Sequence, residues 1–255
     1  MFSEDFLTMC NAAKSKVAFL KNNPLGYFIA SMLAGIFVGF GILLVFSIRG
    51  MMSGIPYAKV VMGISFGVAL SLVVIAGAEL FTGNNMVMMG GILNKTVTFM
   101  DAIKLWIVCW LGNFIGSILI ALLFYWAGLA TGNVGEFIAS TAQAKIEVDF
   151  LPLLVRGILC NILVCLAVWC SFRCKSESGK LIMIFWCLFV FITAGFEHSI
   201  ANMTLLSISL LSPMSATVTI TGFFYNLIVV TLGNMIGGIV FVALPYYMIS
   251  KKKEG

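Results

Sequence analysis

Leu111-Gly112-Asn113-Phe114-Ile115-Gly116 returns 121 residues later as Leu232-Gly233-Asn234-Met235-Ile236-Gly237, and this recurrence decides the fold. Gly77-Ala78-Glu79, followed by Asn84, returns in the same order as Gly195-Phe196-Glu197, followed by Asn202, at an offset of 118. A shorter pairing, Gly35-Ile36 with Gly157-Ile158, has an offset of 122. Three landmarks in one order in each half predict a duplicated unit, the first copy over about 24–128 and the second over about 150–249, within a single domain spanning 1–255.

The composition says what solvent the unit meets. Hydrophobic residues fill 61% of the chain and charged residues only 10%, which excludes a soluble domain and points to a bilayer. Runs free of Asp, Glu, Lys and Arg cover Leu25 to Ile48, Val60 to Ala78, Leu105 to Gly135, Gly157 to Phe172 and Leu181 to Phe196. About 20 apolar residues cross roughly 30 Å of hydrocarbon. The last run, Ser199 to Ser250, would be about 78 Å long as one helix, so it must turn back, most simply at Ser212-Pro213. Six spans result, three per unit. An odd number of crossings per copy inverts the second copy in the membrane.

Glu4, Asp5 and a Lys-bearing amphipathic segment precede the first long apolar run, so no cleavable signal is expected and the first span should persist. With both tails cytoplasmic, Lys14, Lys16, Lys21, Lys95, Lys104, Arg173, Lys175, Lys180, Lys251, Lys252 and Lys253 fall inside, and Arg49, Lys59, Lys145 and Arg156 outside. That is the positive-inside bias, and it explains the formal charge of +5 without an acidic or nucleic-acid partner. Tyr27, Tyr125, Trp126, Trp169, Tyr246 and Tyr247 fall near span ends, where amphipathic rings favour the interface. Seven cysteines without CxxC spacing read as small hydrophobes.

The second hydrophobic segment, about Ala58 to Asn94, and the fifth, Lys180 to Leu211, exceed one crossing. Glycines and polar residues gather at their middles: Gly77, Glu79, Thr82, Gly83 and Asn84 in one, Gly195, Glu197, His198 and Asn202 in the other. Each helix is predicted to break there. A charge facing lipid at mid-depth costs at least about 3 kcal/mol, so Glu79 and Glu197 should face protein or water, and the plainest role for both is to accept hydrogen bonds from backbone freed at the breaks. His198, the only histidine, marks a substrate or proton path better than a metal site, which one imidazole cannot assemble. For Asn113 and Asn234, set among small residues, close helix packing is sufficient reason.

GAELFTGN at 77–84, WLGNFIG at 110–116, RGILCNILVCLAVW at 156–169, GFEHSIANM at 195–203 and TLGNMIGG at 231–238 together resemble the formate/nitrite transporter family, from Pro24 to the last span. Overall the sequence looks most like its hydrosulfide channel branch. The resemblance implies an aquaporin-like protomer, a homopentamer with one pore per protomer, and small anions such as formate, nitrite and hydrosulfide as substrates. It also implies that Thr82, in the loop interrupting the second helix, faces His198 across the channel. Lys145, Asn161, Glu197 and Asn202 match the family's central polar positions, and Phe66, Leu70, Leu80, Phe81 and Phe191 its constrictions. Helical spacing independently sets Phe66, Leu70 and Gly77 on one face, and Phe191, Ala194 or Gly195, and His198 on another.

On this reading Lys145 and the electropositive ends of the broken helices draw an anion in, and His198 and Thr82 hydrogen-bond it between constrictions. A proton from His198 or water would let a weak acid cross as a neutral molecule, since apolar walls cannot replace an anion's hydration. A water or neutral-solute pore is the first rival. An intramembrane enzyme using Glu79, Glu197 and His198 lacks a paired nucleophile or metal, and a redox anchor lacks histidine pairs for haem. No cofactor is expected.

Overall fold

Hydrocarbon cannot hydrogen-bond a backbone, so a crossing must satisfy its own peptide groups as helix. The computed structural model describes residues 2–251, and these are helical throughout apart from connections. Lys252 and Lys253, counted above with the inner charges, lie outside the described residues.

Six helices are long and apolar enough to cross a bilayer. The first is α2 (Pro24–Met51), opened by Asn23, whose side chain accepts the Gly26 N–H. The second is assembled from α3 (Ala58–Ser65), α4 (Gly67–Leu72) and a π-helical turn, Val73–Gly77. The others are α6 (Phe99–Trp126), α8 (Phe150–Arg173), α9 (Glu177–Ala194) and α11 (Ile220–Gly238), the last running through a π-helical turn, Ile239–Ala243, into α12 (Leu244–Ser250). Two half-helices, α5 (Phe81–Leu93) and α10 (Ser199–Leu211), complete the interrupted second and fifth helices. An N-terminal helix, α1 (Ser3–Asn22), packs on α5, and α7 (Gly132–Ile146) packs on α2 and α10.

The two inverted repeats are visible in their backbone contacts. α2 lies along α6 and α8 along α11. A Cβ at Gly116 would overlap the Met32 carbonyl oxygen, and one at Gly237 would overlap that of Ile158; Gly112 meets Phe28 as Gly233 meets Leu154. Only glycine permits these approaches. The contacts set the offset of the first helix of each repeat at 126, which corrects the pairing of Gly35 with Gly157 expected from spacing. Gly35 stands instead where Asn161 stands. Gly35 abuts the Asn113 carbonyl, and Asn161 Nδ2 donates to the Asn234 carbonyl at 2.6 Å.

Two aromatic residues depart from expectation. Tyr125 and Trp126 are exposed at a span end, but Tyr27 and Trp169 are buried. Tyr27 donates to Glu79 at 3.1 Å, and Trp169 packs on Tyr246 with ring centroids 4.2 Å apart, because α1 covers this end of the bundle. The cysteines are all unpaired thiols. Burial pushes Cys10, on α1, up to about 12, so it stays protonated and packs as a small apolar group.

Gly116→Ala is expected to cost about 1–3 kcal/mol, because a methyl there forces α2 and α6 apart. Gly67→Ala, whose Cβ would find its nearest neighbour at 3.6 Å, serves as the control. Thermal unfolding of the two variants in detergent measures the difference, and equal midpoints would show that the close approach is dispensable.

Candidate functional site

Breaking a helix inside a bilayer strands amides and carbonyls. In the first repeat the chain leaves the π-helical turn at Gly77 (φ +82°), runs extended through Ala78 and Leu80, and restarts as α5. In the second, Gly195 (φ +84°) closes α9 and His198 caps α10. Each interruption is clasped by an asparagine amide of its own repeat. Asn113 Oδ1 accepts the Phe81 N–H at 2.9 Å while its Nδ2 donates to the carbonyls of Ser31 and Glu79 at 2.7 and 2.9 Å. Asn234 Oδ1 accepts the Ser199 N–H at 2.9 Å while its Nδ2 donates to Gly157 and Glu197 at 2.8 and 3.0 Å. The backbone clasps are therefore the asparagines, read from sequence as packing residues, and not the glutamates.

The glutamates hold lysines instead. Lys16 Nζ, from α1, donates to both oxygens of Glu79 at 2.6 and 2.7 Å, and Tyr27 and Asn84 donate to the same carboxylate. Lys145 Nζ, from α7, donates to both oxygens of Glu197 at 2.6 Å each, and Asn202 donates to Glu197 Oε2 at 2.7 Å while also bonding Asn226. The half-buried carboxylate of Glu79 and the buried one of Glu197 are thus each neutralised by a cation from an element outside the six spans.

Between the clasps lies a chain of three spaces. A cavity of about 470 Å³ at the α1 end is lined by Lys16, Glu79, Asn84 and Lys180 and closed by Leu70 and Leu80. A cavity of about 260 Å³ at the α7 end is lined by Lys59, Lys145, Arg156, Glu197 and Asn202 and closed by Phe191 and His198. The middle space, about 10 Å³, holds about one water and shares those four closing residues, with Phe66, Val38 and Leu188 completing its wall. Phe66 and Phe191 meet edge to face, centroids 5.3 Å apart. Phe66, Leu70, Leu80 and Phe191 therefore stand together around the middle space.

Phe81 does not join them. It lines an apolar groove on the outer surface beside Trp106, Trp110 and Met235, because its backbone N–H is bound to Asn113 at the start of α5. Thr82 lies in the first turn of α5 and not in the loop, and its hydroxyl is 3.0 Å from His198 Nε2, so the two touch. Asn161 lines none of the spaces described; it sits behind Thr82, donating to the Thr82 carbonyl at 3.2 Å.

The hydrogen bonds also fix the histidine. Ala201 N–H donates to Nδ1 at 3.2 Å, so Nδ1 is an acceptor and the ring proton sits on Nε2, pointing at Thr82. The Thr82 hydroxyl accepts it and keeps its own proton to offer. The middle space therefore has one polar residue on its wall, His198, and no carboxylate, while Thr82 lines none of the three spaces and stands behind the ring. Sequence reasoning missed Lys16, Tyr27, Asn226 and the exposed cations Lys59 and Arg156 as parts of this site. The buried face of α1, Met9, Ala13 and Val17, was the available signal that α1 docks, and Lys16 lies on the same side.

The pattern that defines the formate/nitrite transporter family matches residues 3–248. The nitrite transporter NirC of Salmonella typhimurium is 41% identical over 253 residues, covering 98% of this chain and 93% of that protein. A solved FNT family ion channel superposes with a TM-score of 0.92 at 38% identity, covering 97% of this chain and 99% of its own. A pentameric formate channel with formate bound superposes with a TM-score of 0.79 at 29% identity, covering 91% and 99%.

Asn234→Ala removes three hydrogen bonds and strands three backbone groups at about 1–3 kcal/mol each. It is expected to lower the unfolding midpoint more than Asn226→Ala, as followed by tryptophan fluorescence. Equal losses would deny Asn234 its clasping role.

Proposed function

The chain belongs to the formate/nitrite transporter family, and from that premise we propose that it is a passive pore for monovalent anions of weak acids. Its matched relatives are transporters and channels, not enzymes. The observation that carries the proposal is His198, its ring held by the Thr82 hydroxyl behind it, as the single polar residue on the wall of a space whose other lining residues, Phe66, Leu70, Leu80 and Phe191 among them, are apolar. Nitrite, formate and hydrosulfide all fit that chemistry. The relatives' names put nitrite first and formate second; hydrosulfide, to which the sequence resemblance pointed, stays in the set because its conjugate acid is also small and weak.

Apolar walls cannot solvate an anion, so the species passing Leu70–Leu80 and Phe66–Phe191 is the neutral acid or an anion held by His198. His198 is a poor source of the proton: the lone pair on Nδ1 is engaged by Ala201, and Nε2 carries the only ring proton. Water supplies the proton, and His198 receives the oxygen or sulfur atom by exchanging its Nε2–H bond to Thr82 for one to the solute. Chloride has no neutral form at accessible pH and is refused.

The similar formate channel is pentameric, and on that likeness this chain assembles as a homopentamer. The α1 end, with Lys16, Lys21, Lys95, Arg173 and Lys180, faces the cytoplasm by the positive-inside bias, with both tails there. A water pore is the reading to exclude, and osmotic shrinkage without added permeant measures it.

Purified protein in liposomes should pass nitrite and formate at least about 100-fold faster than chloride, and faster as external pH falls. Chloride flux equal to nitrite flux would sink the reading, as would unchanged nitrite flux in His198→Phe. Lys145→Ala uncovers Glu197, and its negative charge should cut nitrite uptake by about 10- to 100-fold. Lys145→Ala with Glu197→Gln removes both charges and should recover most of it. If the double variant stays as low as the single, the lysine itself attracts the anion.

A further inference from the structure

Pairing of Lys145 with Glu197 leaves a question of charge in the cavity at the α7 end. Three cations, Lys59, Lys145 and Arg156, line it against one carboxylate, Glu197. Lys145 is held by both oxygens of that carboxylate, so its field is largely cancelled a few ångströms away. Five ion pairs occur among the described residues, and neither Lys59 nor Arg156 belongs to one. At the other end the balance differs: Lys16 is paired with Glu79 and Lys180 with Glu177.

Both unpaired cations flank the same break. Lys59 Nζ lies 3.0 Å from where a Cβ on Gly195 would sit, above the left-handed residue that closes α9. The Arg156 carbonyl accepts the Glu197 N–H at 3.2 Å, which ties the start of α8 to the next two residues of that break. Both exposed residues line the same cavity, whose inner wall is His198 and Phe191.

We propose that Lys59 and Arg156 form an anion-collecting site at the mouth of the α7-end cavity, taking small monovalent oxyanions such as nitrite or formate ahead of the Phe191 constriction. The inference rests on the weak-acid pore reading and assigns its electrostatic intake to these two residues in place of Lys145. A cleft of one sign concentrates counter-ions and raises capture rates by roughly 10- to 1,000-fold, and screening by salt weakens the effect. Lys59 and Arg156 act before the constriction, so they govern capture and leave passage through the middle untouched. A guanidinium suits this task because its planar fork matches two carboxylate or nitrite oxygens, and the ammonium adds a mobile point charge.

The test compares wild type with Lys59→Gln/Arg156→Gln in proteoliposomes, measuring initial nitrite uptake against concentration at about 0.01 M and about 0.15 M ionic strength. At low ionic strength the double variant should show a KM raised about 3- to 10-fold with the maximal rate within about twofold of wild type. The difference should shrink at the higher ionic strength, where the Debye length falls from about 30 to about 8 Å. The charge-preserving Lys59→Arg/Arg156→Lys should keep the wild-type KM. An unchanged KM in the double glutamine variant overturns the proposal, and if its unfolding midpoint falls, the two cations merely stabilise the end of α9. A KM shift of equal size at both ionic strengths overturns it too, since long-range attraction would be absent. Wild-type protein that passes no weak-acid anion would instead defeat the pore reading itself.

Discussion

Everything in this protein depends on one requirement: peptide groups exposed by interrupting a helix in hydrocarbon must find partners within the protein. Asn113 and Asn234 meet it twice over with the same three-bond arrangement, each amide accepting one N–H and donating to two carbonyls. With the backbone satisfied by these amides, the side chains at the breaks are released for other work. Leu80 and His198 can then line a passage, while Glu79 and Glu197 can anchor α1 and α7 through lysines.

The clasp also explains why the glycines cluster where they do. An amide can reach a carbonyl on the neighbouring helix only if the two backbones lie almost in contact, and Gly112, Gly116, Gly233 and Gly237 allow that on α6 and α11. The LGNxxG element is therefore one device with two parts, a smooth surface for approach and a side chain that uses the approach. Its function is architectural, and the passage is the space that this architecture leaves open.

The fold was legible in the sequence because its determinants are periodic and long: charge-free runs gave the six crossings, the odd count per repeat gave the inversion, and glycine with glutamate at mid-segment gave the breaks. Part of the middle of the site was legible too, since Phe66 and Leu70 lie one helical turn apart, whereas His198 stands beyond the break at Gly195 and owes its place beside Phe191 to the turn there. What escaped was any contact between distant elements. Nothing near Lys16 announces Glu79, 63 residues away, and nothing near Tyr27 announces that it will be covered by α1 instead of lying in the interface. Phe81 departs for a subtler reason: it follows Leu80 directly, and the turn into α5 sends these neighbouring side chains to different spaces. The Gly35–Gly157 match failed because spacing is conserved less strictly than contact; the offset drifts from 126 to 118 to 121 along the repeat as connections change length.

Leu80 and His198 occupy the same place on the two breaks, each just ahead of the residue whose amide is clasped. A solute on the proposed path meets an isobutyl group at one of these places and an imidazole at the other, so its energy profile is not a palindrome even though the scaffold nearly is. The binding well is displaced toward the α7 end. Detailed balance still forbids such a pore from pumping, but it permits unequal half-saturation from the two faces of the membrane, and duplication followed by a single divergent position suffices to create that polarity.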